Sequence, residues 1–121
     1  MPVVTGPDLI ALQVRDLEAA AAFYRDVVGL PVAPSSPPNA VVFATTPIPF
    51  AVRSASVDLD LTEHLGHGMA LWLRADDAVA VLDGLTDHGV DIVGELADSP
   101  FGKTFTFRDP QGYLITVHDG G

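Results

Sequence analysis

The feature that most constrains this chain is an internal repeat with an offset of about sixty residues. Leu12–Arg15 aligns with Leu71–Arg74 at an offset of 59, and Gly29–Leu30 aligns with Gly89–Val90 at an offset of 60. In both copies a strand-like run precedes a helix-like run that ends at glycine, and further strand-like runs follow. Agreement in order, length and helix ending makes chance similarity the weaker explanation. The sequence therefore predicts two βαβββ units, at about 7–57 and 68–119, joined by a polar linker at 58–67.

The first copy contains the expected pattern for a strand, a helix and two later strands. Leu9–Arg15 alternates as a strand does, and Asp16 is placed to cap an alanine-rich helix that ends at Gly29. A loop rich in proline and serine follows. Two further strands are predicted, starting at Ala40 and at Phe50.

The second copy repeats this pattern. Met69–Arg74 is predicted as a strand, and Asp76 or Asp77 is placed to cap a helix that ends at Gly89. The next strand is expected from Val90 onward. The acidic residues around this helix, including Asp87 and Asp91, fit a solvated face.

A β-hairpin is predicted near the end of the sequence, with its turn at Asp109–Gly112. Aspartate suits the first position of a type I turn, proline the second, and glycine accepts the positive φ at the end. Side chains of the return strand alternate between two faces. One face is predicted to carry Leu114, Thr116 and His118, and the other is predicted to be core, with Tyr113, Ile115 and Val117.

Composition narrows the class of protein further. A chain of 121 residues with 48% hydrophobic residues and a mean hydropathy of +0.32 is expected to form one globular domain. The sequence has no apolar run of membrane-spanning length and no signal-peptide pattern, so we expect a cytoplasmic protein that does not interact with membranes. It has no cysteine, which excludes disulfides, thiolate metal sites and a cysteine nucleophile. A net charge of −10 argues against a nucleic-acid partner.

The doubled unit resembles the vicinal oxygen chelate superfamily over about Leu9 to Asp119. The resemblance lies in "VRDLEAAAAFYRDVVGLPV" of the first copy and "FTFRDPQGYLITVHD" of the second. That superfamily includes glyoxalase I, extradiol dioxygenases, fosfomycin-resistance enzymes and bleomycin-resistance proteins. The resemblance implies an α+β fold in which two units form curled mixed sheets around a cavity, with helices on the convex face. It also implies a homodimer whose cavities are built by both chains.

Metal-dependent branches of this superfamily take their ligands from fixed strand positions, which the resemblance maps onto Leu9, Gly68 and Thr116, with a fourth near Arg53. Leucine and glycine side chains offer no donor atom, arginine is a permanent cation, and threonine is a weak ligand. The resemblance therefore implies a member that uses no metal or other cofactor, closest to the bleomycin-resistance-like branch.

A displaced metal site is the competing interpretation. His118 shares the face of Thr116, and His67 directly precedes Gly68, with Glu63 and His64 in the adjoining linker. Such a site would still lack a third ligand on the first strand, since Gln13 lies too deep. His88, at the predicted helix end, fits a structural role because a cation there suits the helix dipole.

Strand alternation and the resemblance together predict a ligand-binding wall. The only tryptophan of the sequence, Trp72, lies on this wall. The small residues Gly68 and Ala70 flank it on the predicted strand and leave room for a planar molecule. Burial of Trp72 in a core or interface is an equally weighted alternative. The predicted wall comprises Leu9, Ala11, Gln13, Arg53, Gly68, Ala70, Trp72, Arg74, Leu114, Thr116 and His118.

These features favour a metal-free protein that binds a small, aromatic natural product or antibiotic and confers resistance by sequestration. No catalytic residue is assigned. One alternative is a metal-dependent lyase, isomerase or dioxygenase of the glyoxalase type with displaced ligands. Another is a metal-independent enzyme in which His118 acts as a general acid or base.

Overall fold

The computed structural model describes residues 3–120, and the chain divides after Leu59 into two compact units. The first unit contains β1 (Ile10–Val14), α1 (Leu17–Ala22) continued by a π-helical segment (Phe23–Val28), β2 (Ala40–Phe43) and β3 (Phe50–Ser54). A short 3-10 helix (Leu59–Leu61) lies at the division. The second unit contains β4 (Leu71–Arg74), α2 (Ala78–Asp87), β5 (Asp91–Ser99), β6 (Gly102–Arg108) and β7 (Leu114–His118).

The second unit is a four-stranded mixed sheet in the order β4-β7-β6-β5. β4 runs parallel to β7, whereas β6 is antiparallel to both of its neighbours. This is the strand–helix–three-strand arrangement that the repeat predicts.

The first unit has the same order with one strand fewer, β1-β3-β2, and again the first and last strands are parallel. The missing strand is reduced to one bridge between Val32 and Phe43, at the edge that β5 occupies in the other unit. Pro31 precedes the bridge and Pro34 follows it closely; neither has an amide hydrogen for a longer ladder. The two mixed sheets confirm the predicted α+β fold with tandem units.

The first helix begins and ends where the sequence predicts. The Asp16 side chain accepts a hydrogen bond from the Ala19 amide at 3.1 Å, and Gly29 ends the helix with a φ of 90°. The second half, Phe23–Val28, is π-helical, which the sequence did not predict. Glycine at such a helix end avoids the penalty that other residues incur at positive φ.

The second helix is capped by Asp77, which resolves the choice between two neighbouring aspartates. Its Oδ1 accepts from the Ala80 amide at 3.1 Å. At the other end the Nδ1 of His88 lies 2.8 Å from the carbonyl oxygen of Gly84, in the last turn of α2. The ring thus contacts a helix-end carbonyl, consistent with a structural role for this histidine.

Each unit has its own apolar core. In the first unit the buried ring of Tyr24 packs 4.9 Å from Phe50 and 6.2 Å from Phe43, measured between ring centroids. In the second unit one face of the sheet is buried, and Leu85 of α2 is 1% exposed. The buried residues of that sheet face are Phe105, Phe107, Ile115 and Val117.

No helix within residues 3–120 is long and apolar enough to span a membrane.

The β6–β7 hairpin is closed by a buried aspartate. The Asp109 side chain accepts hydrogen bonds from the amides of Gln111 (2.9 Å), Gly112 (3.0 Å) and Tyr113 (2.9 Å) through one oxygen. Gly112 adopts a φ of 112°, and Tyr113 is buried, as the sequence predicts. The side chain therefore satisfies amides that the tight turn would otherwise leave without partners.

We expect Asp109→Ala to destabilise the protein by about 1–3 kcal/mol, because one buried and two partly buried amides lose their acceptor. The measurement is the free energy of unfolding from urea denaturation. Asp83→Ala, at an exposed position of α2, is the matched control and is expected to change it by less than about 0.5 kcal/mol. Equal losses in the two variants would contradict the role assigned to Asp109.

Candidate functional site

The side of the four-stranded sheet opposite its core carries the predicted tryptophan. Strand pairing aligns Trp72 of β4 with Thr116 of β7, Thr116 with Thr106 of β6, and Thr106 with Gly94 of β5. The next row contains Arg74, His118 and Thr104. We call this side the Trp72 face, and its central side chains are Trp72, Arg74, Thr106, Thr116 and His118, joined by Phe101 from the β5–β6 turn.

Alternation along the strands explains why these residues share a face. In β7 the buried Ile115 and Val117 point to the core, so Leu114, Thr116 and His118 point away from it. Leu114 is 51% exposed, as expected for the outer face. The predicted division of β7 into two faces is confirmed.

Trp72 remains 45% exposed. Tryptophan is highly buried on average in folded proteins, whereas about half of this residue remains in contact with water. Exposure of a large aromatic ring is costly in water, and such surface often marks a binding region.

Two further rings surround Trp72. Its ring centroid lies 5.7 Å from that of Phe101 in an edge-to-face arrangement with an interplanar angle of 79°. It also lies 5.7 Å from the His118 ring, at 56°. Phe101 is itself 51% exposed, so the cluster presents aromatic surface to solvent.

Phe101 and Thr106 were missed by the sequence analysis. Phe101 lies in the turn between β5 and β6, where strand alternation makes no prediction. Thr106 could have been predicted from the sequence, because a hairpin turn fixed at Asp109 sets its pairing with Thr116.

The polar groups on the Trp72 face include hydrogen-bond donors that a ligand can use. The hydroxyl oxygens of Thr106 and Thr116 lie 2.8 Å apart, so one hydroxyl donates to the other. The second hydroxyl hydrogen of the pair is then available to an acceptor outside the pair. The Arg74 Nη1 donates to the Gly120 carbonyl at 3.0 Å, which leaves further guanidinium N–H groups for other partners.

Arg74 differs from neighbouring cations in the type of partner it has. Arg108 pairs with Asp91 at 3.1 Å, and Lys103 pairs with Asp98 at 3.0 Å. The partner of Arg74 is a neutral carbonyl, so its charge is not neutralised by that contact. Arg74 therefore places a positive charge on the Trp72 face of a chain whose net charge is −10.

The predicted positions Gly68 and Ala70 do not extend the strand that carries Trp72. β4 begins at Leu71, two residues later than predicted, and Gly68 lies in a turn with a φ of 92°. A positive φ interrupts strand alternation, so the strand pairing of β4 does not place Gly68 or Ala70 on the Trp72 face. The small residue in the Trp72 row is instead Gly94, at its far end on β5.

The remaining predicted residues belong to the first unit. Gln13 and Arg53 are paired in register between β1 and β3, and Ala11 lies two residues earlier on β1. The Gln13 side-chain oxygen accepts from the backbone amide of Ser56 at 2.8 Å. Leu9 precedes β1 and is 53% exposed. These residues lie on the exposed or partly exposed side of the three-stranded sheet.

Potential metal ligands are dispersed within the part of the chain that the structure describes. No group of three or more histidine, aspartate or glutamate side chains there is arranged to hold a metal ion. The His67 ring lies beside that of His64, with centroids 5.7 Å apart, in the turn before β4. His118 instead contacts Trp72 and has its Nδ1 3.0 Å from the Gly120 carbonyl.

The fold and the family comparison agree. A two-unit α+β chain of this topology defines a vicinal-oxygen-chelate-type protein. The family model of the glyoxalase/bleomycin resistance protein/dioxygenase superfamily matches residues 6–117, so the chain belongs to that superfamily. No significant match was found among curated proteins.

Solved structures include relatives with binding and enzymatic descriptions. TnmS3, an antibiotic binding protein from Streptomyces sp. CB03234, is 25% identical with a TM-score of 0.74, and the match covers 100% of both chains. A glyoxalase/bleomycin resistance protein from the same organism is 26% identical with a TM-score of 0.71, covering 94% of this chain and 100% of that one. Lactoylglutathione lyase from Agrobacterium tumefaciens, 24% identical with a TM-score of 0.69 over 97% and 95% of the two chains, shares the fold.

The exposure of Trp72 generates a stability prediction. Trp72→Ala is expected to cost about 1–3 kcal/mol of unfolding free energy, less than the loss of a fully buried ring, because much of the Trp72 ring already contacts water. Phe107→Ala, which removes a ring that is 0% exposed, is expected to cost about 3–5 kcal/mol. Urea denaturation monitored by far-UV circular dichroism compares them, and equal losses would show that Trp72 is buried in the folded protein.

Proposed function

We propose that this chain is a metal-free binding protein that captures a small aromatic molecule on the Trp72 face. The observation that carries the proposal is the exposed edge-to-face pair of Trp72 and Phe101, with the His118 ring centroid 5.7 Å from that of Trp72. A planar ligand stacked there removes apolar surface from water. Each ~100 Å² of such surface contributes about 2.5 kcal/mol.

Polar groups beside the rings favour a particular kind of aromatic ligand. The Arg74 guanidinium and the second hydroxyl hydrogen of the Thr106–Thr116 pair can each donate a hydrogen bond to a ligand. An anionic or carbonyl oxygen attached to the ring system satisfies them, and guanidinium is well suited to a carboxylate. The proposed ligand is therefore a planar aromatic molecule with an acceptor oxygen at its edge.

Relatives support a binding role of the resistance or sequestration type. The superfamily to which the chain belongs includes bleomycin resistance proteins, and TnmS3 is described as an antibiotic binding protein. For this chain we propose stoichiometric capture of an aromatic natural product or antibiotic, in which the protein acts only by binding the molecule tightly. Such a protein needs enclosure and a few orienting polar groups rather than a catalytic group.

The proposal includes a homodimer in the cytoplasm as the functional form. Large apolar side chains outside the cores, including Leu61 and Met69 at 85% exposure each, offer surface that a second chain can cover. The proposed wall residues of the first unit are Leu9, Ala11, Gln13 and Arg53.

Ligand binding is tested with two probes that share a ring system and differ in charge: 9-anthracenecarboxylate and 9-anthracenemethylammonium. We expect the carboxylate to bind more tightly, and Trp72→Ala to weaken binding by roughly 1–3 kcal/mol. Arg74→Met is expected to remove the preference for the carboxylate. Dissociation constants are measured by probe fluorescence titration.

The matched control is Arg25→Met, which removes one positive charge from an exposed ion pair with Asp26 on the other unit. It is expected to leave both affinities unchanged. Binding of both probes at unaltered affinity in Trp72→Ala would overturn the assignment of the Trp72 face.

The metal-free part of the proposal has a separate test. Protein purified without chelators should contain no stoichiometric transition metal by elemental analysis. Zn²⁺, Ni²⁺, Mn²⁺ and Fe²⁺ should not raise the melting temperature, because a tight ion would stabilise the folded state by mass action. An ion held at one per chain with micromolar affinity would instead support the metal-dependent enzyme.

A further inference from the structure

The segment Asp119–Gly120, which directly follows β7, joins three elements that border the Trp72 face. The two carboxylate oxygens of Asp119 accept from different amides: Oδ2 from Ala78 at 3.1 Å and Oδ1 from Lys103 at 2.8 Å. Ala78 is the first residue of α2, and Lys103 follows the turn that carries Phe101. One side chain therefore fixes the start of the helix and the start of β6.

These two amides, that of Ala78 first, lower the pKa of Asp119. A carboxylate with a depressed folded-state pKa contributes its stabilisation above the unfolded-state pKa and loses it as the pH falls through the folded-state value. The two hydrogen bonds of the Asp119 carboxylate therefore contribute their stabilisation at neutral pH.

The backbone of Gly120 contacts the residues around Trp72. Its amide donates to the Phe101 carbonyl at 2.8 Å. Its carbonyl lies 3.0 Å from the Arg74 Nη1, which donates to it, and 3.0 Å from the His118 Nδ1. A single residue thus bonds to the aromatic turn, the cation and the imidazole of the proposed site.

Close packing explains why residue 120 is glycine. A Cβ at Gly120 would overlap the backbone of Phe101 and Gly102. On the opposite side of the contact, Gly102 has a φ of 84°, and a Cβ there would lie 2.5 Å from the Asp119 Oδ1. Two glycines facing each other allow the approach that these hydrogen bonds require.

We propose that Asp119 and Gly120 are positioning residues that hold Phe101, Arg74 and His118 in the arrangement that binds the ligand. This inference rests on the proposed function for its effect on affinity, whereas the arrangement itself can be measured without a ligand. Phe101 lies on a turn, so its ring is held edge-on to Trp72 only while that turn is anchored. Preorganised rings bind a planar molecule without a further ordering cost.

The test uses Gly120→Ala, with Gly84→Ala as the matched control. Gly84 is on α2, and a Cβ there meets nothing within 4 Å. In the free proteins, nuclear Overhauser contacts between the Trp72 indole and the Phe101 ring are measured by NMR. We expect them to be weakened in Gly120→Ala and retained in Gly84→Ala.

Affinity for 9-anthracenecarboxylate is the second readout. Gly120→Ala should weaken binding roughly fivefold or more, as expected for disturbance of an aromatic anchor. Phe101→Ala should weaken it as well. If Gly120 acts through Phe101, the double variant should lose less affinity than the product of the two single losses.

Retained ring contacts together with unchanged affinity in Gly120→Ala would overturn the positioning role, and so would independent losses in the double variant. If wild-type protein does not bind the probe, the proposed ligand chemistry fails, and the ring contacts alone decide the positioning role. If Gly120→Ala does not fold, Asp119→Asn replaces it. Its amide nitrogen cannot accept from a backbone N–H, so one anchor is lost, with the same expected changes.

Discussion

The buried carboxylate of Asp109 closes the β6–β7 hairpin, and the register of that hairpin decides what both sides of the second sheet can be. With the turn fixed, Thr106 pairs with Thr116 and Phe107 with Ile115. A shift of one residue would exchange the two faces of a strand, exposing the core residues and burying the hydroxyls. The packing against α2 and the composition of the Trp72 face are therefore consequences of the same turn.

Charge on the molecule is unevenly distributed in a way that bears on ligand choice. A net charge of −10 repels anions at long range, and physiological salt screens that repulsion over about 8 Å. At short range, Arg74 can still attract an anion, because its hydrogen-bond partner, the Gly120 carbonyl, is neutral. The proposed aromatic ligand can therefore bond to Arg74 through a single acceptor oxygen.

Much of the fold could be predicted from the sequence because the two units repeat each other and their turns have strong local preferences. Asp16 and Gly29 mark the two ends of one helix, and the turn at Asp109–Gly112 is specified by its own side chains. The edge strand of the first unit could not be predicted as a single bridge. Its prolines weaken the pairing without removing it. The Ala33 amide still donates to the Val42 carbonyl at 2.9 Å, and the Ala44 amide donates to the Pro31 carbonyl at 2.7 Å.

The site was predictable only where strands determine it. Alternation correctly grouped Thr116 and His118 within β7, and register places Trp72 beside them. Alternation failed at Gly68, where a positive φ interrupts the alternation of side chains between two faces. It gave no information on Phe101, which lies in a turn. Turns position side chains through contacts distant in sequence, here through Gly120, and such contacts leave no periodic pattern.

The separation of the two sheet faces affects how substitutions can change the proposed ligand preference. Stability in the second unit comes mainly from the face that packs against α2, where Phe105, Phe107 and Ile115 are almost fully buried. Trp72, Phe101 and Leu114 are each about half exposed and contribute less to folding. Substitutions on the Trp72 face can therefore alter the shape and polarity of the proposed binding surface at small cost to the fold. Gly102 and Gly120 are the exception, because their close contact links the aromatic turn to the backbone, and changes there affect both properties together.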